Sequence, residues 1–170
     1  IEKGVFSQAK FDSEPELKFA RIIERDKEVK NWLRPSTNEL NIYYNRSKRY
    51  EPDFIVETED CIYLTEIKGE DKINDADVIS KKERGIEYCK IASKFSKANN
   101  YKKWEYLFIP AGKIQSNSSF KILKENSVNK KDKLSFVLKK NNVQISREKI
   151  NQIFESFFTK NGKLKNSGTK

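Results

Sequence analysis

The order of elements legible along this chain is a helix, three strands, a helix and a strand. That order predicts an α/β fold with a central mixed β-sheet flanked by helices. Three observations carry the prediction. A well-capped helical stripe opens the chain near Ser13. Two β-branched and aromatic runs follow, separated only by Glu59 and Asp60. A long helical stretch over residues 74–99 then leads into the apolar run WEYLFIP.

The first helix is read from FDSEPELKFARIIERDKE. Ser13 is a good N-cap, Pro15 falls in the tolerant first turn, and Glu16 stands three residues after the cap, the spacing of a capping box. Glu16, Phe19, Ala20 and Ile23 share one stripe at helical spacing, which points Glu16 toward the sheet. Val29–Ser36 reads as a short strand ended by Pro35, and residues 37–49 as a polar turn plus LNIYY, a strand or a loop. Tyr50–Thr58 and Cys61–Gly69 read as strands of a tight hairpin. The second helix takes its apolar positions from Ile79, Ile86, Cys89 and Ile91, with Gly85 a mild defect in it. Trp104–Pro110 closes the set as a buried strand ended by Pro110, and Trp32 and Trp104 read as core or sheet residues.

Residues 1–111 make one domain, and 112–170 a basic C-terminal extension or subdomain. In the latter, SFKIL reads as a short helix and LSFVL as a strand. Ser146 caps a helix through Phe158, stopped by Asn161-Gly162, with Ile150, Ile153, Phe154 and Phe157 on one face as this subdomain's own core. KLKNSGTK reads as a frayed tail.

Composition narrows the chemistry. The 170 residues are 35% charged and 36% hydrophobic, with 11 Phe, 7 Tyr and 2 Trp, enough apolar matter for one domain with a core. No run approaches the roughly 18 apolar residues of a membrane helix, and the opening IEKGVFSQAK lacks the apolar stretch of a secretion signal. A chain that starts at Ile1 and holds no Met is expected to be a piece of a longer protein. Cys61 and Cys89 lack metal-ligand spacing and read as buried, reduced thiols of a cytosolic protein. The absence of histidine removes Ser-His-Asp and Cys-His nucleophile systems and His-based zinc sites. Hydrolytic chemistry here must run on carboxylates, lysine and a hard metal ion.

The net charge of +10 is unevenly placed. Residues 1–111 hold 21 Lys and Arg against 21 Asp and Glu, whereas 112–170 hold 14 against 4. The C-terminal segment therefore suits phosphate contact. A solvated lysine-rich face explains it equally well.

The stretch YEPDFIVETEDCIYLTEIKG raises a sharper question, because charges sit inside apolar strands. With Glu59-Asp60 as the loop, facing residues have numbers summing to 119, so Asp53 faces Glu66. Direct cross-strand carboxylates lie about 4.5–5.5 Å apart at Cβ and repel each other. Lys68 shares their face. Two carboxylates so placed, with waters, suit Mg²⁺ or Mn²⁺. Beside such a cation Lys68 would orient or deprotonate a water and offset developing charge.

PDF followed across a hairpin by EIK resembles the PD-(D/E)xK nuclease superfamily. With SEPELKFA upstream and a lysine-bearing helix downstream, residues 11–111 resemble the nuclease domain of type III restriction-type, helicase-linked endonucleases. The resemblance implies a restriction-endonuclease-like core, with Asp53, Glu66 and Lys68 as catalytic residues. It implies metal ligation by Asp53, Glu66, the Ile67 carbonyl and Glu16, directly or through water. Lys81 or Lys82 matches a further active-site lysine, although Arg84 and Gly85 stand where small apolar residues are expected. It also implies DNA as substrate, a helicase or ATPase partner in a larger restriction or phage-defence machine, a homodimer for double-strand cuts, and a bacterial or archaeal cytoplasm. Arg46, Lys48 and Arg49, just before the Asp53 strand, are candidate phosphate contacts.

Acid-x-Lys triplets also occur at Glu16, Glu28 and Glu70. Only the Glu66 copy lies in an apolar strand with a Pro-Asp strand arriving in register. The alternatives are structural sheet charges, a capping-box role for Glu16, and solvated faces for Lys81, Lys82 and the arginine-rich loop. For the whole chain they are a catalytically inactive nuclease fold that binds nucleic acid or assembles a complex, an RNA-directed relative, or a DNA-binding adaptor acting through its basic tail.

Overall fold

In the computed structural model the described residues are 1–127, apart from Asn38, Asn41 and 45–47. The first helix, α1 (Glu14–Arg25), opens as the capping box requires. Ser13 accepts from the Glu16 N–H and donates to the Glu16 carboxylate at 2.9 Å. Its stripe of Phe19, Ala20, Ile22 and Ile23 is buried.

Four strands form the central sheet in the order β1 (Asn31–Leu33), β4 (Phe54–Glu57), β5 (Cys61–Lys68), β6 (Lys103–Pro110). The first three are antiparallel neighbours, and β6 runs parallel to β5. The sheet is therefore mixed and the chain α/β. The parallel pair is joined by α2 (Ala76–Ala98), because a parallel neighbour cannot be reached by a tight turn. Phe54 pairs with Thr65 and Ile55 with Leu64, the register summing to 119. The two-residue loop is closed by the Thr58 N–H donating to the Cys61 carbonyl at 2.9 Å.

Alternation along the strands sorts side chains into two layers. Phe54, Val56, Tyr63, Ile67, Leu107 and Ile109 pack with α1 on one face. Leu64 faces the other way, with Ile55 and Tyr106, toward Cys89 of α2. That second layer is completed by a separate two-stranded sheet, β2 (Ile42–Tyr44) and β3 (Lys48–Tyr50), which buries Ile42, Tyr44 and Tyr50. Arg84 of α2 ties it down by donating to the Tyr43 carbonyl at 2.9 Å.

Several expectations are corrected. Tyr50 does not begin the Asp53 strand. It ends β3, and the chain breaks at Pro52 before β4 starts at Phe54, since proline has no N–H for the ladder. The strand expected over Val29–Ser36 shortens to Asn31–Leu33. Ile91 is 58% exposed, and α2 instead buries Val78, Gly85, Cys89 and Ser96. Gly85 is no defect. A Cβ there would stand 2.3 Å from Cε2 of Tyr106, so the glycine is what lets α2 lie on β6. The packed core also runs past residue 111. A short helix, α3 (Phe120–Glu125), capped by Ser119, places Phe120 and Leu123 fully buried against α1 and β5. The readings for LSFVL, the helix from Ser146 and the final tail lie outside the described residues.

The N-terminal segment, unassigned from sequence, runs beside β1. The Val5 N–H donates to the Trp32 carbonyl and the Trp32 N–H to the Lys3 carbonyl. Trp32 is buried with its indole N–H on Glu24, and Trp104 stacks edge-on against Tyr88. Cys61 and Cys89 are free and buried, and burial pushes their thiols up to about 11 and about 12. No helix among the described residues is long and apolar enough to cross a membrane.

Candidate active site

The hairpin register brings Asp53 and Glu66 to the same end of the sheet, on the face toward α2. Asp53 lies in the bend after Pro52, and its carboxylate accepts the Ile67 N–H at 2.7 Å. That bond locks the start of β4 onto β5 at the point where the ladder ends. Glu66 is 3% exposed, in the middle of a run of buried positions. One of its oxygens meets the Lys68 ammonium at 3.0 Å, while the other, Oε2, is buried without a hydrogen-bond partner.

The electrostatics follow from this burial. Asp53 is pushed up to about 7, first by desolvation and then by the charge of Glu66, against the opposing pull of the Ile67 N–H and Lys68. Glu66 is raised by its own desolvation, which outweighs Lys68 and the nearby Tyr50 hydroxyl. Burial alone would lower Lys68, yet Glu66, Asp53 and Glu16 together raise it. Lys68 is therefore an ammonium ion here, suited to offsetting negative charge rather than to taking a proton.

A buried Glu66 and a half-buried Asp53, with one lysine against Glu66, leave two neighbouring acids and an unsatisfied oxygen. Both features fit a hard divalent cation that retains several waters. Among the described residues no group of three or more His, Cys, Asp or Glu side chains is gathered for a metal. Asp53 and Glu66 stand as the two protein carboxylates, with the Ile67 carbonyl on the same strand.

Glu16 is not brought into that pair. It belongs to α1, on the opposite face of the sheet, and both its oxygens are occupied. Ser13 donates to Oε1, while the Asp12 N–H and the Arg34 guanidinium donate to Oε2. Burial would raise Glu16, but Arg34 and these hydrogen bonds outweigh it and hold it below its ordinary value. Its charge still reaches Asp53 and Lys68, so it borders the same end of the sheet. Beside it lies a cavity of about 620 Å³ lined by Lys10, Asp12, Arg34, Ser36 and Glu51.

The α2 lysines face the carboxylates. Lys81 pairs with Asp77 at 3.3 Å, and its charge is felt by Glu66. Lys82 stands over the ring of Phe108, the β6 neighbour of Glu66, at 5.0 Å. Lys48 pairs with Asp77 at 3.2 Å and Arg49 with Glu51 at 4.0 Å, so both are engaged within the chain. Arg46 lies outside the described residues.

Three neighbours of the site had no signal in the sequence strong enough to single them out. Arg34, just before Pro35, holds Glu16. Tyr50 and Tyr106 hydrogen-bond to one another at 3.3 Å beside Glu66. Each read as an ordinary strand residue, and only the tertiary pairing shows otherwise. In comparisons with known proteins, no family model, no curated protein and no solved structure matches this chain.

Proposed function

We propose that this chain is the nuclease module of a larger restriction or phage-defence protein, a metal-dependent deoxyribonuclease with a restriction-endonuclease-like core. The observation that carries this reading is the half-buried Asp53 beside the buried Glu66, with Lys68 at 3.0 Å from Glu66 and an unpartnered Glu66 oxygen. Structural charges have no reason to be desolvated as like-charged neighbours, at a cost in stability, unless a cation joins them. A bound Mg²⁺ or Mn²⁺ would activate water and neutralise phosphate charge. Asp53 and Glu66 would hold it, with the Ile67 carbonyl as a third oxygen. Lys68, kept protonated by Glu66, would offset charge gathering on the phosphate. Lys81 and Lys82 reach the same face from α2 and would contact the substrate phosphates. Glu16, fixed by Ser13 and Arg34, would act through water.

The test is Mg²⁺-dependent cleavage of plasmid DNA by the parent protein. Glu66→Ala and Lys68→Ala are expected to lose cleavage by at least about 100-fold, within the range that removing one transition-state contact produces, while still binding DNA. Cleavage at the wild-type rate in both variants would instead favour an inactive fold used for binding or assembly.

A further inference from the structure

We propose that the outer face of the second half of α2, with the turn that follows it, binds a single strand of nucleic acid. Bases stack on Phe95 and Tyr101, and Lys90, Lys94 and Lys97 hold the phosphates. This goes beyond the nuclease reading and uses none of the residues placed around Glu66.

Residues 90–103 hold five lysines and no Asp or Glu, against the even balance over residues 1–111. α2 meets the sheet through Gly85, Cys89 and Ser96. That leaves Lys90, Ile91, Lys94 and Phe95 facing solvent, with Ile91 58% and Phe95 65% exposed. Among the described residues, none of the three lysines has an ion-pair partner. From 90 to 97 they span about 10 Å of helix, the reach of about three phosphates along one strand.

The end of α2 is firmly closed. The Asn99 side chain donates to the Phe95 carbonyl at 2.9 Å, Asn100 turns the chain with φ at 58°, and the Tyr101 N–H returns to the Ser96 carbonyl at 2.8 Å. A closure of this kind commonly lays an apolar side chain down on the helix end. Here Tyr101 is 69% exposed, so a fixed backbone presents two aromatic rings to solvent between lysines.

The chemistry selects the occupant. Lysine is depleted in protein interfaces. A helix lying in a membrane surface needs a broad apolar face, and that of α2 is taken up by the sheet. Exposed rings interleaved with cations suit a single strand, whose bases are free to stack. The face is also apart from the carboxylates. Tyr101 precedes β6, and from Lys103 to Phe108, the neighbour of Glu66, β6 runs about 17 Å.

The experiment is fluorescence anisotropy of a labelled oligothymidine strand titrated with the full chain at several salt concentrations. Phe95→Ala with Tyr101→Ala is expected to weaken binding by about tenfold or more. Replacing Lys90, Lys94 and Lys97 by Gln is expected to reduce the salt slope by about 2. Replacing the exposed Lys10, Lys27 and Lys121 by Gln is a charge-matched control, expected to leave the effect of the aromatic pair unchanged. All these positions are on the surface, so the variants keep their fold. If the aromatic pair can be removed with no loss of affinity, the inference is overturned, even where the lysine variant weakens binding. If the same variants instead lose binding to vesicles containing phosphatidylserine while holding the strand like wild type, the face belongs to a lipid surface and the inference is again overturned. Glu66→Gln is expected to bind the strand like wild type, so failure of the nuclease reading leaves this result untouched.

Discussion

A lysine 3.0 Å from a buried glutamate is held as a cation, and its neighbours decide what it can do. In the proposed nuclease Lys68, held as an ammonium ion, would offset charge rather than act as a base. Asp53 was legible as a neighbour of Glu66 because a two-residue loop fixes the register as far as Phe54 opposite Thr65, although Asp53 itself lies in the bend before β4 and is not a ladder partner of Glu66. Arg34 and Tyr50 were not, because their partners lie far along the chain and a side-chain contact leaves no local pattern. Glu24 is a further residue of this kind. Burial is the largest single influence and would raise it, but the N–H groups of Glu2 and Lys3 and the indole of Trp32, all donating to its carboxylate, together outweigh that and hold it below its ordinary value. A carboxylate so lowered adds stability that is present above its unfolded value near 4.5 and is lost as pH falls through its lower folded value. Chemical denaturation across pH 3–7 should therefore show Glu24→Gln less stable than wild type at the neutral end. The difference should close as the pH falls below the unfolded value. A constant gap at all pH values would contradict the assignment.

At the scale of elements, α1 and the β4–β5 hairpin declared themselves through short-range signals: a capping box, a helical stripe and a two-residue loop. The second helix did not. Its expected stripe ran through Ile91, which is exposed, while its true contact line passes through Gly85, a residue that helix propensity penalises. Propensity describes a helix in isolation, and here the facing ring of Tyr106 sets the requirement. Gly85→Ala should therefore destabilise despite its better helix propensity, by about 1–3 kcal/mol as for other overpacked sites. Urea denaturation reads this directly, and a gain in stability would show that the ring yields freely. The end of the Asp53 strand was misplaced for a related reason. Pro52, a residue without an N–H for the ladder, separates Tyr50 into another sheet.

At the scale of the whole molecule, the sequence placed a boundary at residue 111 where the charge balance shifts, yet burial does not follow charge. Phe120 and Leu123 complete the α1 layer, each a large side chain worth about 1.5–3 kcal/mol when fully buried. A chain ending at Ser127 should keep a cooperative thermal transition, and one ending at Ala111 should melt lower or lose the transition. Equal melting of the two would contradict the placement of α3. Residues 128–170 hold 11 Lys and Arg against 3 Asp and Glu, most of the basic excess. Ending the chain at Ser127 should therefore also weaken DNA binding and flatten its dependence on salt.

In the proposed site Asp53 and Glu66 together hold a divalent cation at the end of the hairpin. Anomalous diffraction from crystals of the full chain grown with Mn²⁺ tests it most directly. One strong peak within coordination distance of both carboxylates is expected, lost in Glu66→Gln crystals. A peak elsewhere, or none in wild-type crystals, would contradict the proposed site, and the pair would then stand as structural charges without a cation.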